Sequence, residues 1–265
     1  MSVSRIWLLS IAVVCQQASA QVTPPPTTST GVTASDTATE RLVDELVENA
    51  ARDHATLPSL SAHESIISKV DEHVVFGKNT AKAEANVHIV RKQPEGSWTE
   101  IREFTAFNGK PVTPKTRVSL PFNLIDSFND SENVFFSVQN RPCFNFALAA
   151  RAGQDTPFEL TITPLSVAGL SAQCKGDSGM ARIDPATHRL MHLEFTHPPG
   201  TTYSAWFHAI DYAATKVGDK TFWLPSLVGT RVVIGKTPNE WTARYSGYHQ
   251  YTASVTILPA DSNTQ

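Results

Sequence analysis

Cys174-Lys-Gly-Asp-Ser-Gly-Met-Ala-Arg-Ile-Asp-Pro-Ala-Thr-His-Arg-Leu-Met-His-Leu-Glu-Phe-Thr196 is the stretch whose reading decides the fold. Gly176 to Gly179 carry turn chemistry, with glycines for positive φ around two common turn residues. Met180 to Ile183 read as a short strand, Asp184 to His188 as a second turn, and Arg189 to Thr196 as a longer strand. Met191, Leu193 and Phe195 alternate with His192, Glu194 and Thr196, which assigns one dry face and one wet face. The stretch is therefore a hairpin in an antiparallel sheet.

The same alternation runs through most of the chain. Strands are expected at 66–76, 83–92, 98–108, 134–139, 143–150, 158–173, 202–215, 219–224, 229–236, 240–245 and 248–258, separated by turn signals such as Asn108-Gly109 and Pro198-Pro-Gly200. Strands this frequent, with no helices between them, form an antiparallel sheet system and not an α/β fold. One helix precedes them. Thr37-Ala-Thr-Glu40 fits a capping box, and Leu42, Val43, Leu46, Val47, Ala50 and Ala51 recur at helical spacing until Pro58 closes the segment. The expected fold is mainly β (α+β): a strongly curved antiparallel sheet, an incomplete β-barrel, with one N-terminal amphipathic helix packed on it.

The N-terminus has a different character. Arg5, an apolar run at 6–14 and the small residues Ala18-Ser19-Ala20 make a secretory signal peptide over 1–20, with cleavage between Ala20 and Gln21. Val14 before Cys15 is not the small residue that a lipoprotein signal places there. Residues 21–36 are rich in Pro, Thr and Ser and read as a disordered leader. A single β-rich domain follows at 37–258, then a flexible tail at 259–265. No later segment has the length and apolarity of a membrane helix, so no integral membrane segment is expected. The chain holds 22 basic and 25 acidic residues, and loss of Arg5 with the signal takes the formal charge from −3 to −4. That balance gives no basic footprint for nucleic acid. Cys143 and Cys174 then remain, and in an exported chain they are read as one disulfide.

Three features of the sequence bear on catalytic chemistry. Cys174-x-Gly176-Asp177-Ser178-Gly179 matches the nucleophile signature of chymotrypsin-like serine proteases, but the triad needs a base on the serine and an acid behind that base. Ser61-Ala-His63-Glu64 lacks the cysteine of that family's histidine context, and Met180-Ala181 stand where its turn continues. The nine histidines form no His-Glu-x-x-His and no close ligand pair. His188 and His192 share strand parity, with His188 in a turn. The carboxylates are dispersed, so no glycosidase pair can be named. No catalytic residue, cofactor or metal ligand is nominated. The aromatics Trp98, Phe104, Trp206, Phe222, Trp223 and Trp241, with Tyr245, Tyr248 and Tyr251, fill a core or line an apolar pocket.

Several segments together carry a resemblance: Leu57-Pro-Ser-Leu60 after the helix, Asn108-Gly-Lys-Pro111, Cys143-Phe-Asn-Phe146, Ile183-Asp-Pro-Ala-Thr187, Phe222-Trp-Leu-Pro225 and Tyr245-Ser-Gly-Tyr-His-Gln-Tyr251. In this order they resemble exported bacterial proteins of the LolA-type lipoprotein-carrier fold, an incomplete barrel with a helix in its concavity. The resemblance implies a periplasmic or extracellular location and a lipid or lipoprotein as ligand or partner. That family's dedicated arginine matches no position here. The expected function is an exported non-enzymatic binding protein of the cell envelope, holding a lipid or other apolar ligand in a concave sheet. Its alternatives are a serine hydrolase on Ser178 and an envelope-assembly protein that offers a sheet edge to partner strands.

Overall fold

The computed structural model describes residues 34–72, 77–91, 98–123, 133–165, 174 and 176–252. Helix α1 spans Ala34–Thr56 and leads directly into a meander. Strands β1 (Leu60–Glu72), β2 (Gly77–Arg91), β3 (Trp98–Phe107) and β4 (Lys110–Pro111) come first. A short helix α2 (Asn133–Phe136) and a 3-10 turn (Arg141–Cys143) lie in the connection to the second group. That group is β5 (Phe144–Leu148), β6 (Phe158–Pro164), β7 (Ser178–Ile183), β8 (Leu190–His197), β9 (Ala205–Val217), β10 (Lys220–Ile234) and β11 (Thr237–Gln250).

All eleven strands belong to one antiparallel sheet in the order β4-β3-β2-β1-β11-β10-β9-β8-β7-β6-β5. Every neighbour is a chain neighbour except β1 and β11, so the first and last long strands join two meanders. The sheet is curved and stops short of a barrel: β4 and β5 are its edges, and the chain between them travels from one edge to the other. Register shifts at Ser61/His63, Glu84/Ala85, Arg182/Ile183 and Pro225/Leu227 punctuate it. Such bulges increase local twist and bend the strands that carry them.

One face of this sheet is dry. Leu60, Ala62 and Ile66 of β1, Val87 and Ile89 of β2, Leu193 and Phe195 of β8, and Trp241 and Ala243 of β11 are buried in a single core. Leu42, Val43, Leu46, Val47 and Ala50 of α1 belong to the same core, so the helix lays its apolar stripe on the sheet. Phe135 and Phe136 of α2 are buried there too, and Phe135 packs edge-on against Phe144 and Phe195. Cys143 and Cys174 form a disulfide across a sequence separation of 31. It ties the residue before β5 to the approach to β7.

Six expectations change. Residues 134–139 are not a strand: Asn133–Phe136 is helical, because its paired phenylalanines face the core from outside the sheet. The strands expected at 219–224 and 229–236 are the single strand β10, which carries Pro225 at a register shift that absorbs it. The strands expected at 240–245 and from 248 are likewise continuous as β11, with Gly247 at φ 64 in its path. Helix α1 starts at Ala34, so Thr37 stands inside it, and residues 34–36 of the expected leader are helical. Leu190, not Met191, joins Leu193 and Phe195 in the core. Arg182 pairs with His192 and Ile183 with Leu190, which leaves Met191 as the extra residue of a bulge and flips the parity on either side.

Gly179 is also not a turn residue. It sits in β7 opposite Phe195, and a Cβ there would lie 2.5 Å from the Glu194 carbonyl and 2.9 Å from the Phe195 Cβ. Gly176 does take the left-handed conformation, at φ 75. The signal peptide at 1–20, its cleavage site at Ala20 and Gln21, most of the leader and the tail at 259–265 lie outside the described residues.

Candidate ligand-binding face

The inner face of the sheet is apolar with two polar inclusions. The larger draws its residues from β1, β11 and β3, the last lying one strand beyond β1 across β2. Glu64 is fully buried, and Arg102 reaches it through Nε to Oε2 at 2.6 Å and Nη2 to Oε1 at 3.2 Å. The same Nη2 meets Glu100 Oε2 at 2.8 Å, and the Tyr245 hydroxyl donates to Glu64 Oε1 at 3.0 Å. The guanidinium lies 5.7 Å from the Trp241 ring centre. Burial by itself would lower the Arg102 pKa, but the hydrogen bond and charge of Glu64, with the charge of Glu100, raise it above its ordinary value. This arginine is a fixed cation inside an apolar face. Beside it the Tyr248 hydroxyl donates to the Pro225 carbonyl at 2.6 Å, and burial pushes its pKa well above the ordinary tyrosine range.

The second inclusion lies at the end of the face where β8, β9 and β10 meet. His197 Nδ1 is 2.8 Å from Asp177 Oδ1, and that carboxylate is 1% exposed. His208 Nδ1 is 2.9 Å from the Thr230 hydroxyl, and its ring stacks on Phe195 with centres 4.8 Å apart. Burial first, then the neighbouring His197, lowers the His208 pKa to about 4 against a smaller upward pull from Asp177.

Helix α1 covers the apolar ground and is fastened at its margins by polar contacts. Asp44 pairs with Arg141 at 2.8 Å, Glu45 with His188, and Asp53 with Arg189 at 2.6 Å. Asn49 Nδ2 donates to the His188 carbonyl at 3.1 Å, and Arg91 Nη1 to the Ala55 carbonyl at 2.9 Å. Under the helix, among Leu46, Ala50, Phe136, Leu190 and Trp223, the void is about 10 Å³. That is room for about one water and not for an acyl chain. A larger space of about 190 Å³ opens beside its N-terminal half, between Val43, Arg141, Phe144 and Phe146.

Ser178 is on the other side of the sheet. It pairs with Thr196, whose hydroxyl is 3.1 Å from its own, while Asp177 turns inward to His197. Thr196 and His197 are consecutive in β8 and so point to opposite faces. The nucleophile signature is thereby split across the sheet, and among the described residues no histidine bonds to Ser178. His188 and His192 do not meet: His188 is held by α1, and His192 Nδ1 is 2.6 Å from Asp211 on the outer face.

No protein-family model matches this chain, and no curated protein matches it. Among solved structures it is similar to a LolA superfamily protein from Nitrosomonas europaea, at 11% identity over 80% of this chain and 94% of that one, with a TM-score of 0.36. It is similar also to an outer membrane lipoprotein-sorting protein domain from Vibrio parahaemolyticus, at 14% identity over 78% and 92%, TM-score 0.37. A DUF1329 family protein from Desulfovibrio piger matches at 8% identity over 82% and 94%, TM-score 0.41. The likeness is one of general arrangement and says nothing of a ligand.

Trp241, Tyr245 and Tyr248 belong to the aromatic set read from the sequence, but the charged residues and the histidine pair that make the inclusions are not singled out by it. Glu64, Glu100 and Arg102 sit at inner-facing positions of strands whose alternation is otherwise regular. A charged residue in an apolar phase was the available signal. The pairing of β1 with β11, which brings Tyr245 to Glu64, joins residues 181 apart, and no local pattern announces it.

Proposed function

We propose that the chain is an exported, non-enzymatic binding protein of the bacterial cell envelope that takes a lipid or other apolar ligand onto the inner face of its sheet. The observation that supports this reading best is the attachment of α1. An apolar stripe lies on an apolar face, yet its margins are held by ion pairs to Arg141, His188 and Arg189 that water can replace once the helix lifts. With a water-sized void beneath it, the ligand enters by displacing the helix and takes over the apolar contacts that the stripe gives up. Export is supported by the signal-like segment ending at Ala20 and by the disulfide, which belongs to an oxidising compartment.

The test is uptake of a fluorescent fatty acid and of a lysophospholipid by delipidated protein. Asp44→Ala with Asp53→Ala loosens α1 and should tighten apparent binding several-fold. A disulfide staple from Glu45→Cys with His188→Cys should suppress uptake until reduced. A protein that takes up neither probe, even with the helix loosened, does not have this function.

A further inference from the structure

His197 and His208 are eleven residues apart in sequence and lie on neighbouring strands, each facing the inner side. Their ring centres are 5.4 Å apart and the rings stand at 89°. Each imidazole has Nδ1 committed, to Asp177 in one case and to Thr230 in the other. Neither Nε2 has a hydrogen-bond partner among the described residues, and neither is among the buried unpaired nitrogens, so both keep a path to solvent. Trp206 stands beside the pair, 5.0 Å from His197 and 5.5 Å from His208 by ring centres.

We propose that His197 and His208 bind a divalent transition metal ion, of the zinc or copper class, through their Nε2 atoms. Two imidazoles that share a tetrahedral ion at about 2.0–2.1 Å bring their ring centres to roughly 5 Å, close to the separation seen here. The carboxylate behind His197 is the arrangement that fixes a ligating imidazole: it holds Nδ1–H, turns Nε2 outward and raises its basicity. Thr230 does the same orienting work for His208. Asp177 also supplies a negative charge, 1% exposed, to offset part of the ion's charge in a wall of Phe195 and Trp206. Two nitrogen donors select zinc or copper over calcium or magnesium, which require oxygen. Among the described residues no group of three or more His, Cys, Asp or Glu side chains is placed to hold an ion, so water or an incoming ligand completes the coordination.

The experiment uses untagged mature protein stripped with chelator, titrated calorimetrically with Zn²⁺ and examined with one equivalent of Cu²⁺ by electron paramagnetic resonance. One equivalent should bind, with copper hyperfine structure from two imidazole nitrogens. His197→Gln and His208→Gln should each weaken binding at least tenfold, and Asp177→Asn should weaken it about 10- to 100-fold. His249→Gln, on the exposed end of β11, should leave it unchanged. Should Asp177→Asn fail to fold, the double variant His197→Gln/His208→Gln decides. Equal affinity in that double variant and the parent, or no binding in either, overturns the site.

Discussion

Asp53 Oδ2 lies 2.6 Å from Arg189 Nη1, joining the last turns of α1 to the residue just before β8, with both side chains less than one-fifth exposed. A partly buried charge-assisted pair of this kind is stronger than an exposed one, and loss of one partner strands the other. Arg189→Ala should therefore lower stability by about 1.5–3 kcal/mol in urea unfolding. It should also raise binding of a hydrophobic dye under native conditions, because the helix margin opens first. A loss of stability with no change in dye binding would mean that the pair holds the fold and does not hold the helix in place.

Gly179 offers a packing prediction. An added methyl meets the Glu194 carbonyl and the Phe195 Cβ, both backbone-fixed, with the Phe135 ring 3.4 Å away. Gly179→Ala should cost roughly 1–3 kcal/mol, the usual range for overpacking. Gly176→Ala meets no such wall, since its nearest neighbour is Pro198 at 3.7 Å, but it forces an alanine to φ 75. That should cost about 1–2 kcal/mol. Thermal melts of the two variants separate the steric cause from the conformational one. A second, truncating change at Phe135 should relieve neither variant, because the Phe135 ring is only in ordinary contact and the closer walls at Gly179 belong to β8.

These two glycines also mark how far the sequence could be read. Alternation, turn residues and the amphipathic stripe of α1 were enough for the fold class, the helix and most strands, because burial on one face imposes a period that is local. What failed depended on register. Met191 looks like a core residue until the bulge opposite Arg182 and Ile183 shifts it. Pro225 looks like a strand end until β10 bends through it. The candidate site failed for the same reason at longer range: Glu64 with Tyr245, and His197 with His208, become neighbours only when strands pair.

Asp184 gives the pH dependence. Its Oδ1 accepts from the amides of Ala186 and Thr187 at 3.0 and 2.8 Å and from the Thr187 hydroxyl at 2.9 Å. Burial pulls its pKa up, but these hydrogen bonds and the nearby His188 together hold it below its ordinary 3.8. The folded protein thus binds this proton less readily than the unfolded chain. The contribution is fully present above the ordinary value and disappears as pH falls through the lower folded one. Asp184→Asn keeps a turn acceptor but not the charge. The stability difference between parent and variant should be constant above about pH 5 and shrink as the pH falls toward 3. A difference that does not change with pH would place the effect in turn geometry alone.

Arg102 is the sharpest test of the inner face. Its side chain is 11% exposed, against 0% for Glu64 and 1% for Glu100. Arg102→Met leaves two buried carboxylates without their guanidinium and should cost about 3–5 kcal/mol. Replacing Glu64 as well, as Glu64→Leu with Arg102→Met, removes the more deeply buried of the two carboxylates that the single change strands and leaves only Glu100 without its guanidinium. The double variant should be more stable than Arg102→Met alone, measured by urea unfolding as a double-mutant cycle with a coupling of at least 1 kcal/mol. Additive losses would mean that the ion pair is not the unit that matters and that each side chain is held by other neighbours. If the pair is retained for ligand recognition, the double variant will fold well and still bind a carboxylate-bearing amphiphile less tightly than the parent. An apolar dye, by contrast, should bind the two proteins equally.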